Sequence, residues 1–165
     1  MNSRKEDRTV AGIMGFLVGI SAMGLLALAF PPDCHATEQM HTEQECLASA
    51  IYFEARSESA IGQVAVAQVV MNRVASAHFP NTICEVVKQP HQFSFYWDGK
   101  PDTPYNAPVW DYSMQLAELF LKGARFGPVK DALYYHGVGS WPYWASQMHA
   151  VGIFGHHIFY EYNKT

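Results

Sequence analysis

Residues 47–75 read LASAIYFEARSESAIGQVAVAQVVMNRVA. Leu47, Ala50 and Ile51 recur at i, i+3 and i+4, the apolar stripe of an amphipathic helix, and the next member of that stripe is Glu54. A carboxylate on a core-facing stripe costs free energy unless it is paired, hydrogen-bonded or protonated. Glu54 is therefore the most informative residue of the chain. Upstream, Thr42-Glu43-Gln44-Glu45 has the spacing of a capping box and predicts that the helix begins there. Ser57-Glu58-Ser59 breaks it. A second helix follows from Ile61 to about Ala77, with Val and Ala on nearly all sides, as expected at the centre of a domain. Its polar members Gln68 and Asn72 share one face at i, i+4.

Working outward, Phe79-Pro80-Asn81-Thr82 reads as a turn with a capping residue, followed by a short helix through Val87 that Gln89-Pro90 ends. His91 to Trp97 alternates and is aromatic, and Asp98-Gly99 is a hairpin signal, so a strand and turn are expected there. Pro108 marks a further helix start, with Val109, Tyr112, Leu116, Leu119 and Phe120 on one stripe and Gly123 closing it. Ala132 to His136 and Ile153 to Tyr160 read as short strands. The fold class is α+β, mainly helical with a small aromatic-rich antiparallel sheet.

The chain has 165 residues, 49% apolar and 16% charged, which excludes intrinsic disorder. A net charge of -4 and the lack of any Lys/Arg run argue against nucleic acid as a partner. Val10 to Phe30 carries no charge, and as a helix it would span roughly 30 Å, the thickness of a bilayer core. The expected organisation is a cytoplasmic N-terminus at 1–9, a transmembrane signal-anchor (or signal peptide) at 10–30, a linker at 31–41 and a folded domain at 42–165. The slight positive excess before the span places that domain outside the cytoplasm. The length of the span favours an anchor, although Ala27-Leu28-Ala29 would serve as a cleavage site. Of the cysteines, Cys46 and Cys84 sit in apolar helical contexts suited to a bridge, which leaves Cys34 spare. Cys34, or Gly15 and Gly19 at G-x-x-x-G spacing, offers a route to a disulfide-linked or helix-paired dimer.

Burial raises a carboxyl pKa, and a carboxylic acid still protonated near neutrality is the general acid that glycosidic cleavage needs. The competing reading is a Glu54 satisfied by Arg56, Arg73 or backbone donors. Glu58, flanked by serines, reads as a cap or a solvated residue.

The motifs Leu47-Ala48-x-Ala50-Ile51-Tyr52-x-Glu54-Ala55-Arg56-x-Glu58 and Gly62-Gln63-Val64-Ala65-Val66-Ala67-x-Val69-Val70-x-Asn72-Arg73-Val74 resemble the SleB/CwlJ-type cell wall hydrolases. Phe79 to Ile83, Gln92-Phe93-Ser94, Tyr135-His136, Trp144 and Gly155-x-His157-x-Phe159-Tyr160 continue the resemblance in order, over about residues 45–160. It implies a lysozyme-superfamily, lytic-transglycosylase-like fold, peptidoglycan glycan strands as partner, and cleavage between N-acetylmuramic acid and N-acetylglucosamine. The family's catalytic glutamate matches Glu54, acting as acid and then as base toward the muramoyl C6 hydroxyl, with no cofactor. Gln92, Phe93 and Ser94 are expected to line the sugar groove, Tyr135 and His136 to orient sugar or acid, and Trp144 and Tyr160 to bind glycan. Ser57 stands where the family commonly has Gly, and Gly137 to Trp141 is an unusual loop. With no sign of a wall-binding repeat, the anchor points to a general periplasmic or phage lytic role.

Three rival readings fit parts of the sequence. A muramidase or glucosaminidase needs a partner carboxylate about 5–10 Å away, for which Glu58, Asp98 and Asp102 are the local candidates. A metal-dependent amidase would draw on His136, His156 and His157. Adjacent strand histidines point to opposite faces, however, and H-E-x-x-H is missing. A non-catalytic wall-binding protein would keep the aromatic residues and tolerate loss of Glu54.

Overall fold

The structure, a computed structural model, describes residues 32–163, with side chains from Thr42 onward. The span expected at 10–30 lies outside the described residues. Among those described, no helix is long and apolar enough to cross a membrane.

Helix α1 runs Pro32–Ala55, so it begins ten residues before Thr42 and takes in most of the stretch expected as a linker. Pro32 at its first position and the helix formers Ala36, Glu38, Gln39 and Met40 favour that extension. Thr42-x-x-Glu45 consequently lies inside the helix instead of capping it. Glu43 serves another helix: its carboxylate accepts from the backbone N–H groups of Ile83 (2.6 Å) and Cys84 (3.3 Å) at the start of α3 (Ile83–Val87). A disulfide between Cys46 and Cys84, Cα atoms 5.2 Å apart, fastens α1 to α3 at the same place.

The predicted stripe is the core of the helical layer. Leu47, Ala50 and Ile51 are fully buried and cluster with Val70 of α2 (Ala60–Ala75), Val86, Phe93 and Phe120. Ser59 caps α2 by accepting from the Gly62 N–H. The Gln68–Asn72 face is a polar brace. Gln68 donates to Asn72 (2.7 Å) and accepts from the Phe126 N–H (2.6 Å), while Asn72 donates to the carbonyls of Lys130 and Ala132. Helix α4 (Ala107–Leu121) starts at an Asn106 cap with Pro108 in its first turn. It buries Ser113, Leu116, Ala117 and Phe120, whereas Tyr112 and Leu119 of the expected stripe are exposed.

Residues 91–97 form no strand. Ser94–Trp97 is a single 3₁₀ turn. Phe93 and Phe95 are buried in alternation, but no neighbouring strand offers ladder partners, and His91 takes a left-handed φ of 63° after Pro90. The expected turn is present: Asp98 accepts from the Lys100 N–H (2.8 Å), and Gly99 has φ 73°.

The sheet is three-stranded and antiparallel in the order β1-β3-β2, from β1 (Tyr134–Gly137), β2 (His149–Phe154) and β3 (His157–Glu161). The single strand expected over 153–160 is cut by a turn at Gly155-His156, where Gly155 adopts φ 62°. Tyr135 pairs with Phe159 and His136 with Ile158. Phe159 and Tyr135 pack on Val66 and Val69 of α2, which joins the sheet to the helical layer.

Candidate active site

Glu54 stands one residue before the end of α1, half-buried, with Oε1 fully enclosed and without a hydrogen-bond partner among the described residues. Three elements converge on it. The 3₁₀ turn brings the backbone N–H and hydroxyl of Ser94, α2 brings Arg73, and β1 brings Tyr135. Burial pushes the Glu54 carboxyl above its ordinary range. The Ser94 donors and the positive charge of Arg73 pull it down, and burial prevails.

Arg73 is only 4% exposed. Its Nε donates to the Leu133 carbonyl at 2.8 Å, and its guanidinium lies 5.2, 5.5 and 5.9 Å from the ring centres of Phe79, Phe93 and Tyr134. Burial lowers its pKa, opposed by Tyr135, Tyr134 and Glu54. A guanidinium stays protonated even so. Neither Arg73 nor Arg56 makes an ion pair with Glu54, so Glu54 is not a carboxylate neutralised by contact. Arg73 appeared in the sequence only as a possible neutraliser, yet it is a caged cation beside the acid.

The residues expected to bind glycan fall into two groups. Tyr135 faces inward, its ring 5.2 Å from His157 and 5.4 Å from Phe159, and burial followed by the nearby Glu54 raises its phenol pKa far above the ordinary range. Strand alternation sends His136 to the other face. There its ring stacks on Tyr160 at 5.2 Å and meets the Trp144 edge at 5.6 Å. With Nδ1 donating to the Gly137 carbonyl (2.9 Å), Nε2 accepts the Tyr160 hydroxyl (2.9 Å). His136 and Tyr160 are buried, and Trp144 is half-buried. Phe93, expected to line the groove, is fully buried beneath it, because its ring fills the core between α1 and the Arg73 guanidinium. Gln92 is exposed on the same bend as Ser94.

Glu58 is neither a cap nor a solvated residue. Ser59 makes the cap, and the Glu58 side chain is 8% exposed. Its Oε2 accepts from the backbone N–H of His156 (2.7 Å) and lies 3.1 Å from that ring's Nδ1. Oε1 is 4.0 Å from His157 Nδ1. Burial raises the Glu58 pKa, but the His156 donors and the two imidazoles outweigh it and hold the carboxyl below its usual range. For His157, burial dominates and lowers the pKa. Among the described residues, no three His, Cys, Asp or Glu side chains are grouped to hold a metal ion.

A groove of about 240 Å³ opens beside Ser94, lined by Phe53, Arg56, Phe95, Asp98, Asp102 and Tyr105 among others. Among the described residues, Tyr143 and Trp141 are the most exposed large aromatics and stand elsewhere, Trp141 on the loop after β1 and Tyr143 at the start of the 3₁₀ turn that follows it. The arrangement sets Ser94, which donates to the Glu54 carboxyl, on the wall of an open groove.

A family model for cell wall hydrolases matches residues 57–160, beginning three residues after Glu54. The spore cortex-lytic enzymes of Oceanobacillus iheyensis and Bacillus subtilis are 34% and 33% identical over 121 residues, 70% of this chain. The chain matches only 40% and 36% of the length of those two relatives. Among solved structures, the catalytic domain of the germination-specific lytic transglycosylase SleB from Bacillus anthracis superposes with a TM-score of 0.62 at 32% identity, covering 72% of this chain and 93% of that one. The catalytic domain of the Bacillus cereus SleB protein gives 0.60 at 32% identity, over 73% and 91%. Helical layer, three-stranded sheet and sequence agree over that span, and the chain belongs to the cell wall hydrolase family.

Proposed function

We propose that this protein is a lytic transglycosylase that cleaves peptidoglycan glycan strands between N-acetylmuramic acid and N-acetylglucosamine. The observation that carries the reading is Glu54 itself: a half-buried carboxyl with a raised pKa and an unpaired oxygen, at the Ser94 end of the groove. The resemblance to SleB, described as a lytic transglycosylase, supports it.

Glu54 donates its proton to the glycosidic oxygen as the muramoyl C1–O bond breaks, and the N-acetylglucosamine part leaves as an alcohol. The carboxylate then takes the proton of the muramoyl C6 hydroxyl as that oxygen bonds to C1. The product is a 1,6-anhydro ring, and Glu54 is again protonated. No water is consumed, so no second carboxylate is required. Ser94 steadies the ionised form between the two steps, and the cation of Arg73 offsets its charge. Gln92 borders the sugar, and the inward-facing Tyr135 backs Glu54. His136, Trp144 and Tyr160 support the sheet that presents Tyr135.

One observation favours a second reading, hydrolysis. Asp102 lines the groove without a partner among the described residues and is the candidate base, whereas Glu58 is committed to His156 and Asp98 to Lys100. Asp102→Asn separates the two: transglycosylation survives it and hydrolysis does not. The segment 10–30 would anchor the enzyme in the membrane with the domain on the wall side. The general test is turbidity clearing of purified sacculi, expected for the wild type and lost in Glu54→Gln.

A further inference from the structure

The groove contains a cation that the reaction does not use. Arg56 follows Glu54 by two residues, and its backbone N–H is held by the Tyr52 carbonyl at 3.2 Å. Its guanidinium carbon lies 5.4 Å from the Tyr52 ring centre and 5.0 Å from that of Tyr105. The Tyr52 ring is buried, and its hydroxyl accepts the backbone N–H groups of Tyr105 (3.1 Å) and Asn106 (3.0 Å), which holds the Tyr105 backbone beside Arg56 while the Tyr105 ring stays exposed. Among the described residues, no carboxylate or carbonyl takes up the donors of Arg56. The other cation of the groove, Lys100, is spent on Asp98 at 3.3 Å. A guanidinium posed against two rings, exposed and unpaired, is organised to take a planar anion in a forked contact.

We propose that Arg56 is a binding residue for a carboxylate of the peptide stem borne by the muramic acid whose bond is cleaved. This rests on the glycan-cleaving reading and adds to it a preference for peptide-bearing, charged strands. The chemistry fits. The stem leaves at C3 of the same muramic acid ring whose C1–O bond is cleaved and carries free carboxylates, and Arg56 shares a groove with Ser94, which touches the acid. Asp102 on the same groove supplies a negative charge suited to an amine farther along a stem, so one groove matches both charges.

The test compares glycan strands whose stem carboxylates are free with the same strands blocked as methylamides, using the full chain and its Arg56→Gln and Arg56→Lys variants. Blocking should lower the wild-type kcat/KM by about tenfold, chiefly through KM, the size of one lost charge-assisted contact. Arg56→Gln should show the lower value on both substrates, and Arg56→Lys should recover part of the preference. The inference is overturned if the wild type cleaves both substrates equally, or if Arg56→Gln keeps the wild-type preference. If the wild type cleaves neither, the reading of the reaction fails first and takes this one with it.

Discussion

The Glu58 carboxylate accepts the backbone N–H of His156 at 2.7 Å, across 98 residues of chain, and so ties the β2–β3 turn to the junction of α1 and α2. The fit is tight. A Cβ at Gly155 would stand 2.2 Å from Glu58 Oε2, and one at Gly62 would stand 2.9 Å from Glu58 Cβ. Glu58→Gln should cost about 1–2 kcal/mol, since one buried acceptor is weakened while the exposed His156 can turn to water. With its folded pKa depressed, Glu58 contributes stability above its unfolded pKa and loses it as pH falls through the folded value. Thermal melts from pH 3 to 7 should therefore show a smaller pH dependence in the variant. Gly155→Ala should destabilise the wild type more than it destabilises a Glu58→Ala background.

Glu54 works in the opposite sense. Its folded pKa is raised, so its contribution is fully present below the unfolded pKa and is lost as pH rises through the folded one. Glu54→Gln removes that penalty. The variant should melt about 3 °C higher than wild type at pH 8, with no gain near pH 3, while losing roughly 10²–10⁴-fold in lytic rate. Equal melting temperatures at pH 8 would argue against a costly buried carboxyl.

The rate should follow the same proton. In the proposed mechanism cleavage needs Glu54 protonated, so kcat/KM should fall on the alkaline side as it ionises. The Ser94 donors favour the ionised form. Ser94→Ala should therefore move the alkaline limb to higher pH while lowering the maximum. A limb that stays in place would remove Ser94 from contact with the acid.

The Cys46–Cys84 bridge closes a loop with a sequence separation of 38 and fastens α1, the helix that carries Glu54. Reduction should cost about 2–4 kcal/mol. Differential scanning fluorimetry with and without a reductant reads this directly.

Much of the candidate site was legible because it is local. The apolar stripe of α1 singled out Glu54 through positions 47, 50 and 51, which are all fully buried. Strand alternation likewise separates Tyr135 from His136. What stayed hidden depends on distant chain. The alternation at 91–97 reported which rings are buried, Phe93 and Phe95, but it did not report that no strand lies alongside. The polar flanks of Glu58 said nothing of a partner at His156, and the Thr42 box gave no sign that Glu43 caps a different helix.

The most direct test of Glu54 as acid and base is mass spectrometry of peptidoglycan digested by the full chain, beside the Glu54→Gln variant. Products ending in 1,6-anhydromuramic acid, lost in the variant, are the expected result. Reducing-end muramic acid or glucosamine with the same dependence on Glu54 would contradict transglycosylation, and anhydro products that persist in the variant would remove Glu54 from the chemistry.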